Sequence, residues 1–131
     1  MERGVRVLIA DDLASTREGL RALLATYPEI EVFGEAASGE AALRLVEIYQ
    51  PDVVLMDVRM RGMDGIEATR RIKERWPGIR VVTLMIYGDR RSDALAAGSD
   101  AFLLKGCPTD QLLAAILTPT KCQSAAPRSI G

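Results

Sequence analysis

The sequence predicts one α/β domain, a doubly wound (βα)5 unit whose five-stranded parallel sheet is covered by helices on both faces. Five short apolar runs alternate along the chain with segments of helical periodicity. Strands that are joined by right-handed helical crossovers lie parallel, and their helices pack on both faces of the sheet. With 131 residues, 48% of them hydrophobic, the chain is long enough to bury one such core.

The five apolar runs are the predicted strands. They are Val5–Ala10, Glu31–Ala36, Val53–Met56, Val81–Ile86 and Ala101–Leu104. Gly34 interrupts the second run, which is the weakest of the five, and so we expect this strand at an edge of the sheet.

The predicted helices lie between the strands and after the last one. They are Ser15–Thr26, Gly39–Tyr49, a helix from Asp64 to Trp76, the short segment Asp89–Ala97, and a helix that begins after Pro108. Ser38 is the expected N-cap of the second helix and Thr109 that of the fifth, while Asp64-Gly65-Ile66-Glu67 resembles a capping box. The segment 119–131 is polar and rich in Ala and Ser, so we expect a disordered tail or linker stub after a domain of residues 1–118.

Composition excludes several classes of function. The net charge of −1 gives no indication of nucleic-acid binding. The absence of histidine excludes a histidine general base, a Ser-His-Asp triad, a histidine phosphodonor and most zinc sites. The only cysteines, Cys107 and Cys122, show no metal-ligand spacing, and no apolar run is long enough for a signal peptide or a membrane span. We therefore expect a cytoplasmic protein without membrane contact.

Carboxylates follow two of the predicted strands. Asp57 ends the run Val53–Met56, and Asp11 and Asp12 follow Val5–Ala10. In parallel sheets the functional site lies beyond the carboxyl ends of the strands, where the strand order reverses. Like charges at about 5 Å repel by roughly 3 kcal/mol per pair at an effective dielectric of about 20. Such a cluster therefore indicates a site for a cation, usually a hard divalent ion with oxygen ligands.

Four motifs give the chain a family resemblance. They are Val7–Asp12, Val54–Met60, Gly62–Gly65 and Leu103–Lys105, in this order and at characteristic spacing. From about Val5 to Leu117 the chain resembles the response-regulator receivers of two-component signalling, most closely those of LuxR-type transcription regulators. The resemblance implies a flavodoxin-like, CheY-like fold.

The resemblance also implies a role for each acid and for the lysine. Asp57 would accept a phosphoryl group from a histidine of a sensor kinase. Asp12, Asp57 and the backbone carbonyl of Arg59 would hold Mg²⁺, with Asp11 acting mainly through water. Lys105 would pair first with Asp57 and then with a phosphoryl oxygen. The implied protein is not an enzyme beyond its own phosphoryl transfer and dephosphorylation.

The resemblance implies partners as well. A sensor histidine kinase would be the phosphodonor, and a homodimer is possible. DNA would be reached only through an output domain, which we do not expect within this sequence because too few residues follow position 118 for a helix-turn-helix domain.

Three departures from the family pattern bear on signalling. Arg61 stands where proline is usual, and Gly106 follows Lys105 where an acid or a proline is commoner, so both loops gain freedom. The third is the hydroxyl residue that ends the fourth strand in receivers. At the spacing usual in the family, alignment forward from Pro77 places this hydroxyl position at Met85, and alignment backward from Lys105 places it at Thr83. These positions point to the same face of a strand and differ by about 6.6 Å in depth. The local sequence and the short fourth helix favour Met85, and Phe102 takes the place of the switch aromatic.

Alternative interpretations remain open. A pseudo-receiver would keep the fold and serve as a phosphorylation-independent dimerisation or docking module. A phosphatase with an aspartate nucleophile would need a second acid two positions after Asp57, where Arg59 stands. The arginines around the third helix form a solvated face more readily than a kinase-docking surface, and Cys107 lies near the expected site without an expected role.

Overall fold

The computed structural model describes residues 4–118, which form one five-stranded parallel sheet in the order β2-β1-β3-β4-β5. The strands are β1 Val5–Ala10, β2 Ile30–Ala36, β3 Val53–Asp57, β4 Arg80–Met85 and β5 Ala101–Leu104. The helices are α1 Ala14–Leu24, α2 Gly39–Tyr49, α3 Gly65–Arg75, α4 Arg91–Ala96 and α5 Thr109–Leu117, with a short 3-10 turn at Gly88–Arg90. The predicted α/β architecture is confirmed.

The helix ends show where sequence periodicity was imprecise. The predicted segment Asp89–Ala97 divides into the 3-10 turn and a six-residue α4. Thr109 is the first residue of α5, and Pro108 takes the N-cap position, so the cap predicted at Thr109 is wrong by one residue. Proline at this point supplies a fixed φ and lacks only an N–H that a helix start leaves unpaired. The tail predicted at 119–131 lies outside the described residues.

β2 is an edge strand, as the interruption at Gly34 predicted, and it pairs only with β1. The pairing contains an irregularity, because Val7 lies opposite Val32 while the next residue, Leu8, lies opposite Gly34. The extra residue, Phe33, is half-buried and its ring lies 5.4 Å from that of Tyr49 in α2. The irregularity is thus a local bulge that leaves the carboxyl end of β1 in register with Ala36.

The core consists of two layers, one on each face of the sheet, because successive side chains of a strand point to opposite faces. On one face Leu8, Val54, Met56 and Val81 pack against α2 and α3. On the other face Val7, Ile9, Leu55 and Val82 pack against α1 and α5. Because β1, β3 and β4 are covered on both faces, most of their residues are apolar and buried. None of the helices within residues 4–118 is long and apolar enough to cross a lipid bilayer.

The start of α3 approaches the end of β3 closely. Asp64 caps α3 by accepting a hydrogen bond from the backbone N–H of Glu67 at 3.0 Å, which is half of the predicted capping box. The Glu67 carboxylate instead forms ion pairs with Arg70 and Arg71. Gly65 donates its N–H to the carbonyl of Val58 at 2.9 Å. A Cβ at position 65 would overlap the backbone carbonyl of Asp57, so only glycine fits there.

The Gly65→Ala substitution should therefore destabilise the protein strongly. We expect the free energy of unfolding to fall by about 3 kcal/mol, the upper range for overpacking a tight contact. Gly19→Ala is the matched control, since an added Cβ meets nothing within 4 Å at that exposed position of α1. That variant should gain up to about 1 kcal/mol from helix propensity. Equal effects of the two substitutions in urea titrations would contradict the close approach of α3 to β3.

Candidate functional site

Three carboxylates meet at the carboxyl edge of the sheet. β1 and β3 are neighbours, and the strand order reverses between them, so Asp57 at the end of β3 lies beside Asp11 and Asp12 after β1. One carboxylate oxygen from each residue lies within 4.8 Å of the other two. Asp11 is 1% exposed and Asp57 is 4% exposed, whereas Asp12 is half-buried.

Lys105 partly neutralises this cluster. Its Nζ lies 3.0 Å from Oδ2 of Asp11 and 3.2 Å from Oδ1 of Asp57. The other oxygen of Asp11, Oδ1, accepts a hydrogen bond from the backbone N–H of Leu13 at 2.9 Å. Both oxygens of Asp11 are therefore engaged with the protein. Within residues 4–118 the carboxylate of Asp12 has no hydrogen-bond or ion-pair partner, so it is the acid most available to a ligand.

The electrostatic environment shifts the pKa of both partners of the Asp57–Lys105 ion pair. Burial, and then the charge of Asp11, raise the pKa of Asp57 from 3.8 to about 6, although Lys105 and the backbone N–H of Arg59 favour the ionised form. Burial acts to lower the pKa of Lys105, but its contacts with Asp11 and Asp57 prevail and raise it. At neutral pH Asp57 is therefore ionised and is paired with the charged Lys105.

The backbone after β5 sets the position of Lys105. Its N–H donates to the carbonyl of Met85 at 2.8 Å, which extends the pairing of β5 with β4 by one residue. Gly106 follows with φ of 86°, a left-handed conformation that favours glycine over the residues usual at this position. Gly106 thus serves a specific turn, in addition to the freedom that the sequence suggested. Cys107, a free and half-buried thiol, follows this turn.

The structure places Met85 and Thr83 at different depths. Asp57 lies opposite Leu84 in the sheet, so Met85 is the next residue outward and ends β4. Thr83 lies opposite Met56, one pleat deeper. Its hydroxyl donates to the carbonyl of Ala101 at 3.2 Å and lies 3.0 Å from the hydroxyl of Ser99. Of the two, Met85 is at the strand end beside the acids, and Thr83 is buried and already hydrogen-bonded.

Met85 and Phe102 belong to a small apolar cluster beneath α4. Met85 is 4% exposed and packs with Val58, next to Asp57, and with Ala94 of α4. Phe102 is half-buried at the edge of this cluster, and the guanidinium of Arg91 lies 5.5 Å from its ring centroid. A thioether therefore fills the space between the end of β3 and α4, and it offers no hydroxyl donor there.

An open cleft lies beside the acids. Its lining combines acids, arginines and apolar residues: Asp12, Val58, Arg59, Met60, Arg61, Asp64 and Arg90. Arg59 and Arg61 are exposed, and Arg59 has only a distant ion pair with Asp89 at 3.9 Å. Arg90 contacts Asp64 at 3.5 Å and Asp93 at 3.0 Å and so links α4 to the start of α3. The role of Arg90 is not predictable from the sequence, because no local pattern reports a contact between residues so far apart in the chain.

The remaining arginines around the third helix are engaged locally. Arg70 and Arg71 pair with Glu67, one turn earlier in α3. Arg75 lies 3.9 Å from Glu47 and stacks on Trp76 at 4.4 Å. These contacts are typical of a solvated helix face, where exposed ion pairs contribute little to stability.

The donor set is suited to a hard divalent cation. All of its side-chain ligand atoms are carboxylate oxygens, and they converge without any sulfur or imidazole group. One cationic side chain faces three acids, so an additional positive charge would relieve repulsion. The residues present therefore fit Mg²⁺.

Replacing Asp57 by Asn should stabilise the metal-free protein above pH 4. Folding raises the pKa of Asp57 from 3.8 to about 6, so ionisation of this carboxyl lowers the free energy of unfolding. The wild type therefore loses stability as the pH rises through this interval. The Asn variant lacks this loss and should be more stable at pH 7 by on the order of 2 kcal/mol. Urea titrations in EDTA at several pH values measure it. Asp110→Asn, at an exposed helix position, should keep the wild-type pH dependence, and an Asp57→Asn variant that also kept it would contradict the raised pKa.

Comparison with known sequences identifies related proteins. The family model for the response regulator receiver domain matches residues 7–117. The transcriptional regulatory protein DegU of Brevibacillus brevis is 39% identical over 117 residues, which are 88% of this chain and 50% of DegU. LiaR of Bacillus subtilis is 42% identical over 119 residues, covering 89% of this chain and 56% of LiaR. The chain thus spans about half the length of these curated relatives.

Comparison with solved structures gives the same family. The signal receiver domain of NarL from Mycobacterium tuberculosis is 34% identical, with a TM-score of 0.83 over 88% of this chain and 95% of that one. A LuxR-family two-component response regulator from Aurantimonas is 31% identical, with a TM-score of 0.79 over 84% and 80% of the two chains. The chain therefore belongs to the response regulator receiver domain family, and its relatives are LuxR-family regulators.

Proposed function

We propose that this receiver accepts a phosphoryl group on Asp57 from a phosphohistidine of a sensor kinase, with Mg²⁺ bound to the adjacent acids. One observation carries the proposal: the buried carboxylate of Asp57 contacts Lys105 at 3.2 Å and lies within 4.8 Å of Asp11 and Asp12. A buried acid beside two other acids is costly unless charge arrives from outside. The site is thus prepared for a cation, which would in turn neutralise an incoming phosphoryl group.

Asp57 is the nucleophile in this proposal. One of its carboxylate oxygens attacks the phosphorus, an O–P bond forms, and the N–P bond to the kinase histidine breaks with its electron pair remaining on the imidazole. The reaction needs an ionised carboxylate, and a pKa of about 6 leaves Asp57 ionised at neutral pH. Lys105 holds one oxygen of Asp57 before transfer and neutralises a phosphoryl oxygen afterwards.

We assign the metal ligands to Asp12, Asp57 and the backbone carbonyl of Arg59, with Asp11 acting through water. Asp12 is unengaged among the described residues, whereas both oxygens of Asp11 already have protein partners. Bound Mg²⁺ would supply charge that neutralises the phosphoryl oxygens. Positioning and neutralisation, more than covalent machinery, are what phosphoryl transfer requires.

The wider function follows from the relatives. They are named as transcriptional regulators and are about twice as long as the matched region. We propose that this receiver switches transcription in the cytoplasm through an output domain that binds DNA, with a homodimer as one possible active form. It is a signalling module that acts on no substrate apart from its own phosphoryl group.

Intact-mass measurement after incubation with a small phosphodonor and Mg²⁺ tests the proposal. The wild type should gain one phosphoryl group, about 80 Da, on Asp57. Asp57→Asn should gain none, and Asp52→Asn, at the opposite end of the sheet, is the matched control that should be modified like the wild type. No gain in the wild type at any donor concentration would favour a pseudo-receiver.

The apolar end of β4 suggests that phosphorylation of Asp57 is only weakly communicated to Phe102 and α4. Met85 cannot donate a hydrogen bond to a phosphoryl oxygen, and Thr83 is already hydrogen-bonded to neighbouring groups. We therefore propose that phosphorylation is retained while the movement of Phe102 and α4 is reduced.

Amide chemical shifts with and without beryllofluoride and Mg²⁺ measure this communication. In the wild type the shifts should be large around Asp57 and small at Phe102 and along α4. Met85→Thr, which restores a hydroxyl at the strand end, should enlarge the shifts at Phe102 and α4 by about twofold or more, since a charge-assisted hydrogen bond becomes available. A wild-type response at α4 as large as that of Met85→Thr would contradict the proposal.

A further inference from the structure

We propose that Arg17 is a positioning residue for the metal site, which holds the peptide between Asp11 and Asp12 so that the Asp12 carboxylate faces the cation. This inference rests on the proposed Mg²⁺ site. No local sequence pattern indicates a role for Arg17, which lies in the first half of α1. Its contacts in the structure indicate the role.

Arg17 reaches from α1 to the loop that carries the acids. Its Nη1 donates to the backbone carbonyl of Asp11 at 2.6 Å. Its Nε donates to Oε1 of Glu35, on β2, at 3.0 Å. The side chain is 17% exposed, so these contacts are shielded from water more than those of a typical surface arginine. A guanidinium holds two acceptors at once because its donors have a fixed planar geometry.

The carbonyl that Arg17 holds belongs to the same peptide unit as the N–H of Asp12. Release of that carbonyl would free the torsion angles that flank the peptide, and these angles set the direction of the Asp12 side chain. On either side the chain is fixed by the N–H of Asp11, which donates to Ala36 at 3.0 Å, and by the N–H of Leu13, which donates to Asp11 at 2.9 Å. The Asp12 carboxylate itself has no partner within residues 4–118, so its direction depends on the backbone.

Glu35 explains how the positively charged Arg17 can lie close to a proposed Mg²⁺ site. Its carboxylate accepts from Arg17 and, at 2.7 Å, from Nε of Arg21. It therefore offsets part of the charge of Arg17, which reduces repulsion toward a bound metal ion. Removal of Arg17 should therefore act mainly by loosening the loop that carries Asp11 and Asp12, because the metal-binding carboxylates themselves are unchanged.

Arg21 provides a matched control. It lies on the same helix and pairs with the same carboxylate, but its Nη1 donates to the carbonyl of Val32 at 3.1 Å, away from the acid loop. Loss of Arg21 therefore removes a comparable charge and a comparable ion pair without releasing the Asp11–Asp12 peptide. A difference between the two variants reports the contact with the Asp11 carbonyl.

The test compares Arg17→Ala with Arg21→Ala by two measurements on the unphosphorylated protein. In EDTA, amide hydrogen exchange at Leu13, whose N–H donates to Asp11, should accelerate in Arg17→Ala only. In Mg²⁺ titrations followed by amide shifts, Arg17→Ala should bind about tenfold more weakly, as removal of an outer-shell partner generally causes, and Arg21→Ala within about twofold of the wild type. Arg17→Lys and Arg21→Lys serve as the second pair if an alanine variant does not fold.

The outcomes separate this inference from the proposed function. Saturable Mg²⁺ binding that is equal in the wild type and in both variants would overturn the inference alone. Equal weakening of Mg²⁺ binding in both variants would mean that Arg17 acts only through its charge, and this result would also overturn the inference. A wild type without saturable binding would overturn the metal site and this inference together, whereas exchange rates in EDTA would still report whether Arg17 holds the loop.

Discussion

The repulsion among Asp11, Asp12 and Asp57 is the constraint on which the rest of the site depends. Their ligand atoms lie within 4.8 Å of one another, and Lys105 is the cation in direct contact with two of them. A single ammonium group does not neutralise three carboxylates, and burial, followed by the charge of Asp11, raises the pKa of Asp57. The folded chain thus retains an unfavourable local charge that a divalent cation can relieve.

The fold can maintain this arrangement because rigid elements position each member. The adjacent strands β1 and β3 bring Asp57 next to the loop after β1, and Gly65 lets α3 begin directly against the end of β3. Lys105 approaches from β5, at the other edge of the sheet, and the turn at Gly106 leaves its backbone paired with β4. Stability in the core therefore offsets the electrostatic cost at the edge.

The sequence predicts the sheet and the acids well because both are local signals. An apolar run that ends in an acid specifies a strand and its carboxyl end together, and strand order then places Asp57 near Asp12. The strand irregularity at Phe33 and the cap at Pro108 were missed because backbone pairing and turn geometry decide them. The depth of Thr83 could not be predicted either, since a shift of two residues preserves the alternation of faces. The roles of Arg17 and Arg90 depend on contacts between elements that are separate in the sequence, which no periodicity encodes.

The most direct test of the central claim is the dependence of unfolding free energy on Mg²⁺ concentration at constant ionic strength. If the acids form a metal site, the wild type should gain about 1.4 kcal/mol for each tenfold increase in Mg²⁺ above its dissociation constant. Asp12→Asn, which removes the unengaged ligand, should respond weakly or not at all. A wild type that does not respond, or an Asp12→Asn variant that responds equally, would contradict the account.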